Sequence, residues 1–300
     1  MARDLSLRKL RYFLAVAKCG RVTQAAVDLN VSQSSITTGV KEIEEQVGVV
    51  LFRRTSRGML LTREGARFLQ RANYALQALE DAFDSLQGPD TTLKGNLRLA
   101  MTYTVAGYFL PPLLAQFQRR YPWITLQLHE VSRSEIEQGL ISGKFDLAIV
   151  LTSNIEHDHL LEKMTLIKSR RQLWLSSQHE LLNKEKVTLR DIAHYPHILL
   201  TVDEADQTAL KYWKHEGLSP NIMFRTSSVE AVRSMVANGT GITILSDMVY
   251  RPWSLDGKRI EHLILANTIP PMELGLSWPR NRPLSAAAKA FCDLAQGFSI

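Results

Sequence analysis

Apolar positions in the first fifty residues fall at three- and four-residue spacing, in short runs separated by polar or glycine breaks. Leu7, Leu10, Phe13, Leu14 and Ala17 share one stripe, so residues 5–18 read as an amphipathic helix that Gly20 ends. Ala25, Ala26 and Leu29 mark a shorter helix over residues 23–30. Ser32 then stands where an N-cap belongs, its hydroxyl able to accept from first-turn amides. The helix it opens runs over residues 33–47, with Ile36, Val40, Ile43 and Val47 turned inward. Its other face begins Gln33, Ser34, Ser35, Thr37, Thr38 and Lys41, mostly small side chains rich in hydrogen-bonding groups, which suit the floor of a DNA major groove. Two short helices joined by a tight turn, the second led by such residues, read as a helix-turn-helix. Gly39 lies inside that second helix, where glycine costs about 1 kcal/mol against alanine, so local order there is expected to depend on packing or on DNA.

The apolar pattern continues with Leu51 and Phe52, followed by Arg53, Arg54 and Arg57 around a Ser56-Arg57-Gly58 turn. Two short extended pieces about a basic turn predict a wing whose arginines reach the DNA backbone or minor groove. Arg8 and Arg11 face away from the first helix's stripe, toward phosphate or solvent. Thr62 reads as the N-cap of a long helix over residues 63–87, stopped by Gly88-Pro89. Phe68, Leu69, Ala72, Ala75, Leu76, Leu79, Ala82, Phe83 and Leu86 run along one side of it. At 1.5 Å per residue it is about 37 Å long, more than a domain of this size uses by itself, although packing on its own chain is the competing reading.

Beyond residue 88 the pattern changes. PDTTLKGN (89–96) reads as a hinge, after which short apolar strands alternate with helices: a strand at 97–102, a helix over 105–120, strands at 124–131 and 146–151 about a helix at 134–142. This alternation predicts parallel α/β organisation. A weak internal repeat supports it, VSRSEIEQGLISGKFDLAIV (131–150) against TSSVEAVRSMVANGTGITIL (226–245). Two α/β lobes are expected, the first over about 97–164 and 267–300, the second over about 165–266.

The run AAxxLxVSQSS (25–35), then IxxxVxxIE (36–44), then VGxxLFRR (47–54) resembles the N-terminal signature of the LysR-type bacterial transcriptional regulators. The match is close over residues 6–70, and the rest of the chain fits the family in length and order. Thr37 stands where the family usually has serine. The resemblance implies an α/β protein with an N-terminal all-α winged helix-turn-helix over 1–62, a linker helix over 63–88 and a two-lobed, periplasmic-binding-protein-like effector domain over 97–300. It also favours dimerisation through Phe68, Leu69, Ala72, Leu76, Leu79 and Phe83.

Charge sharpens the division. The net charge of +6 is carried wholly by residues 1–72, which hold 13 Lys+Arg against 6 Asp+Glu and leave −1 for the remainder. Phosphate neutralisation requires such placement. Hydrophobic content of 45% with 22% charged residues is that of a globular protein. No apolar run approaches the roughly 20 residues that span a bilayer, and residues 1–13 lack the apolar core of a signal peptide. Two cysteines, Cys19 and Cys292, in separate predicted helices argue against a disulfide scaffold and fit a reducing cytoplasm.

Candidate effector groups are hydroxyls at strand ends and helix starts: Thr102-Tyr103-Thr104, Thr152-Ser153, Thr201, and Ser132 and Ser134 with their repeat counterparts Thr226, Ser227 and Ser228. Amides and hydroxyls at such places hold anions, although serine and threonine also cap helices generally. Thr102 and Thr104 match a Thr-x-Thr resembling the ligand loop of the family's anion-sensing members. Catalytic patterns are weak. His157-Asp158-His159 lacks a third metal ligand, Gly239-Thr240-Gly241 lacks the lysine of a phosphate loop, and there is no Gly-x-Ser-x-Gly. The expectation is a cytoplasmic homodimeric or homotetrameric regulator, not an enzyme and without cofactor. Its expected partners are a double-stranded operator, a small anionic effector and, as a further candidate, RNA polymerase, with no membrane. An enzyme fused to a helix-turn-helix is the competing class.

Overall fold

The computed structural model describes residues 6–55, 58–86 and 92–298. Arg57, the side chain of Phe83, the Gly88-Pro89 stop and hinge residues 89–91 fall outside the described residues. The chain forms two compact units, Met1–Gly88 and Pro89–Ile300, and each is described by itself.

The first unit holds α1 (Leu7–Cys19), α2 (Val22–Asp28), α3 (Gln33–Val47), β1 (Phe52–Thr55), β2 (Gly58–Leu61) and α4 (Arg63–Leu86). Ser6 and Ser32 cap α1 and α3 by accepting from Lys9 N and Ser35 N, and left-handed Gly20 and Gly48 end them. Thr62 caps α4 by accepting from Gly65 N at 2.9 Å. Phe13, Val16, Ala25, Ile36, Ile43 and Leu51 are buried together. Leu7 departs from the expected α1 stripe, being 44% exposed. Tyr12 takes up core space instead because α3 presents Gly39 to it: a Cβ there would lie 2.7 Å from Tyr12 Cδ2. The glycine is therefore a close-approach point between α1 and α3. Phe68, Leu69 and Leu76, half-buried, and buried Ala72 join this same core, with Phe68 edge-on to Phe13 at 4.9 Å. Much of the proposed dimerisation stripe is thus engaged with its own chain, leaving Leu79 as the half-buried member beyond it.

The second unit begins with β3 (Gly95–Met101), α5 (Tyr103–Tyr108), α6 (Leu110–Arg120), β4 (Ile124–Glu130), α7 (Arg133–Ser142), β5 (Leu147–Leu151), β6 (Leu161–Ser169) and β7 (Arg171–Ser176). It continues with α8 (Leu189–Ile192), β8 (Pro196–Leu200), α9 (Ala205–His215), β9 (Asn221–Thr226), α10 (Val229–Ala237), β10 (Thr243–Ser246), β11 (Ile260–Leu263), β12 (Met272–Pro279) and α11 (Ala286–Gly297). The helix expected over 105–120 is two helices, broken at Phe109. Pro111 and Pro112 occupy the first turn of α6, where their missing N–H groups cost nothing but forbid continuation from α5.

One sheet has the order β4-β3-β5-β12-β6, with β3 parallel to β4 and β5, and β12 antiparallel to its neighbours. In the second lobe β10-β7-β11 is antiparallel and β8-β9 parallel, tied together by the His197–Ile242 bridge. Reading β9-β8-β10-β7-β11 across that bridge repeats the first order, so the internal repeat is structural. The Ser132 cap and Gly143 stop of α7 correspond to the Ser228 cap and Gly239 of α10. The lobes exchange later than expected. β6 stays paired with β12 to Ser169, so the chain crosses at Arg170 rather than near 165, and it returns just before Met272 rather than at 267. Among the described residues no helix is long and apolar enough to cross a membrane.

Candidate DNA-reading face and effector cleft

On α3 the inward positions Ile36, Gly39, Val40 and Ile43 are buried, which turns Gln33, Ser34, Thr37, Thr38 and Lys41 outward as exposed residues, with Ser35 half-buried. Ser32 Oγ lies 2.9 Å from Ser34 Oγ and 2.8 Å from Ser35 Oγ. Thr37 donates back to Gln33 O at 2.9 Å, leaving its methyl free to face outward. Arg53 and Arg54 are exposed on β1, which pairs with β2 from Phe52↔Leu61 to Thr55↔Gly58. Glu44 Oε1 accepts from Leu51 N (2.7 Å) and Phe52 N (3.0 Å), fixing where the wing leaves the helix.

The periodicity did not reveal a notch of about 440 Å³ between α1 and α3, lined by Arg8, Lys9, Tyr12, Ser34, Ser35 and Thr38 among others. Arg8 Nε donates to Tyr12 Oη at 2.5 Å and Lys9 pairs with Glu42 at 3.0 Å. The Gly39–Tyr12 contact thus brings α1 cations beside the outward polar face of α3.

In the second unit the candidate hydroxyls separate. Thr102 and Thr104 are buried, 3% and 4% exposed, and Thr102 Oγ1 has no partner. Thr152 is spent inside the first lobe, 3.1 Å from Thr165 Oγ1. Ser153 is exposed and donates to Asn154. Ser132 is the α7 cap. Ser227 is exposed, and its neighbour Ser228 is the one that caps α10. Thr201 N donates to Thr226 O within the second lobe.

The amide expected to be open to a ligand is taken. Thr104 N donates to Asp203 Oδ2 of the second lobe at 2.8 Å, and Asn154 Nδ2 donates to Asp203 O at 3.0 Å. Arg133 spans the same seam, with Glu137 at 2.7 Å, Glu156 at 2.9 Å and Glu204 at 3.3 Å. Asp203 and Glu204 both adopt left-handed backbone, φ 53° and 54°, a sparsely populated region for non-glycine residues that the seam's contacts must hold in place. Nothing local in the sequence marks Asp203, whose partner is 99 positions away.

Glu137 is buried and its carboxyl is held below its ordinary value: burial pushes it up, but hydrogen bonds from His157 and Arg133 and from the Glu156 and His157 amides outweigh that. His157 is thereby engaged rather than simply solvated, Nδ1 lying 2.5 Å from Glu137 Oε2. Among the described residues no group of three or more His, Cys, Asp or Glu could hold a metal. The Tyr103 hydroxyl is raised by burial, then by Tyr108, Glu130 and Asp203, against the pull of Arg233. The α5 start therefore gathers charged groups from both lobes.

Residues 7–66 match the bacterial regulatory helix-turn-helix protein model of the lysR family, and residues 90–298 match the LysR substrate binding domain. The HTH-type transcriptional regulator AlsR of Bacillus subtilis is 30% identical over 256 residues, covering 84% of each chain. A hydrogen peroxide-inducible genes activator of Pectobacterium carotovorum is 28% identical, covering 80% of each. The crystal structure of HinK, a LysR family transcriptional regulator from Pseudomonas aeruginosa, is similar at 31% identity and a TM-score of 0.63, over 98% of each chain. A winged helix-turn-helix with the polar face of its second helix outward, followed by a two-lobed α/β unit of this topology, agrees with both matched models: the chain belongs to the LysR family of transcriptional regulators, with a DNA-binding and an effector-binding domain.

Proposed function

We propose that the chain reads operator DNA through Gln33, Ser34, Ser35, Thr37, Thr38 and Lys41. Arg53, Arg54 and Arg57 would anchor the wing to the phosphate backbone, and a small anionic effector would act at the seam between the two lobes of the second unit. The observation that carries the effector reading is the 2.8 Å bond from Thr104 N to the Asp203 carboxylate. An amide that holds a carboxylate from its own chain can hold one from a ligand. The exchange also releases Asp203 and Glu204 from left-handed backbone, conformations that cost of order 1–3 kcal/mol each. Thr102, with an unpartnered buried hydroxyl beside that amide, supplies a second donor. Such an exchange alters the lobe contacts, and altered lobe contacts are the means by which a bound molecule changes operator affinity. Self-association would use the part of α4 beyond that core, around Leu79.

The test is a thermal-shift screen of the whole chain against small carboxylates, followed by calorimetry on wild type, Thr102→Val and Asp203→Asn. A ligand using this seam loses about tenfold or more in affinity with Thr102→Val, one charge-assisted hydrogen bond. It binds more tightly to Asp203→Asn, because its competitor is weakened. Unchanged affinity in both variants returns these residues to a purely structural role.

A further inference from the structure

A separate pocket of about 470 Å³ lies between the lobes, lined by Tyr103, Tyr108 and Glu130 from the first lobe and Glu230, Arg233 and Arg251 from the second, among others. Ligand sites commonly fall in this size range. Its charges are unevenly used. Arg233 is buried, 3% exposed, and gives one arm to Glu230 and the other to Val249 O at 2.9 Å, while its Nε is buried without a partner. Glu230 is thereby spent on Arg233. Arg251 donates only to the Met248 and Tyr250 carbonyls and lies 5.5 Å from the centroid of the Tyr108 ring. Among the described residues Arg251 has no carboxylate partner and Glu130 has no cation, although both face the same pocket. They form no ion pair with each other.

One unpaired anion on one lobe and one unpaired cation on the other, with Tyr103 and Tyr108 lining the same pocket, are complementary to a molecule carrying both charges. A plain anion would satisfy Arg251 and leave Glu130 repelling it; a plain amine would do the reverse. We propose that this pocket binds a zwitterion of the amino-acid class. Its carboxylate meets Arg251, its ammonium meets Glu130, and its body lies against Tyr103 and Tyr108. Bound there it ties the lobes together by two charge-assisted contacts. The pocket adjoins the Thr104–Asp203 seam at Tyr103, so the inference rests on the reading of the lobe junction as the effector region and adds the class of ligand.

The experiment uses the full chain and the twenty proteinogenic amino acids in a thermal-shift screen. Each hit is then compared by calorimetry with its deaminated acid and its decarboxylated amine. At least one amino acid raises the melting temperature, and removing either charge weakens it by about tenfold or more. Glu130→Gln erases the preference for the zwitterion over the acid, and Arg251→Met erases the preference over the amine. Both side chains are exposed, so neither change threatens folding, and the five tryptophans of residues 123–278 verify it by fluorescence. Thr102→Val leaves amino-acid binding unchanged. The inference is overturned if no amino acid binds, or if the acid binds as tightly as the zwitterion. Carboxylates that bind in a Thr102-dependent manner while amino acids do not would overturn this site and leave the seam reading standing.

Discussion

Gly39 offers a test in which helix propensity and packing predict opposite signs. By propensity alone, Gly39→Ala should stabilise α3 by about 1 kcal/mol. The new Cβ, however, would lie 2.7 Å from Tyr12 Cδ2, against ordinary carbon contacts of about 3.5–4.0 Å. The ring has to retreat by roughly 1 Å. It is only 5% exposed, and its hydroxyl is held by Arg8, so the retreat pushes into a packed core. Overpacking of this kind costs about 1–3 kcal/mol, leaving a net destabilisation of about 1 kcal/mol once the propensity gain is subtracted. In a Tyr12→Ala background the obstacle is gone, and the same Gly39→Ala should stabilise by about 1 kcal/mol, a coupling of about 2 kcal/mol. All five tryptophans belong to the second unit, so fluorescence would miss the effect. Hydrogen exchange on peptides from residues 7–47 reads it as about a fivefold loss of protection per kcal/mol. If Gly39→Ala raises protection equally in both backgrounds, the close-approach account of this glycine is wrong.

Gln33→Ala should lose about 1–3 kcal/mol of discrimination at one base step. Arg54→Ala should weaken all sequences alike and reduce the salt slope by about one; equal, sequence-independent losses in titrations of both variants would contradict the assigned groove geometry. Leu79→Glu should reduce self-association in sedimentation with the second unit still folded, whereas Leu76→Glu should also disturb the first unit, whose core Leu76 joins. Glu137 has its carboxyl held below its ordinary value of 4.5. It therefore contributes stability that is complete above that value and lost as pH falls through the lower folded one. Denaturant unfolding followed by tryptophan fluorescence should show a loss below about pH 4.5, and Glu137→Gln should flatten that part of the profile.

Local periodicity was enough for α3, for its caps and for the outward placement of Gln33, Thr37 and Thr38, because a helix's faces and ends are decided within about four residues of chain. It was enough for the strand–helix alternation and for the repeat, since hydroxyl cap, apolar face, glycine stop and strand are all local signals. The break at Phe109 was legible in principle from Pro111-Pro112, yet the apolar spacing on either side masked it. What sequence could not supply were pairings across long separations. Tyr12 against Gly39, Leu76 against its own core, Asp203 on the Thr104 amide, and Glu130 facing the same pocket as Arg251 depend on which surfaces the tertiary fold brings together. Thr102 and Thr104 looked like donors awaiting a ligand, but one of their amides was already claimed by a carboxylate 99 residues away. A hydrogen-bonding group advertises its chemistry in the sequence; only the folded chain decides whether its partner is a ligand or another part of itself.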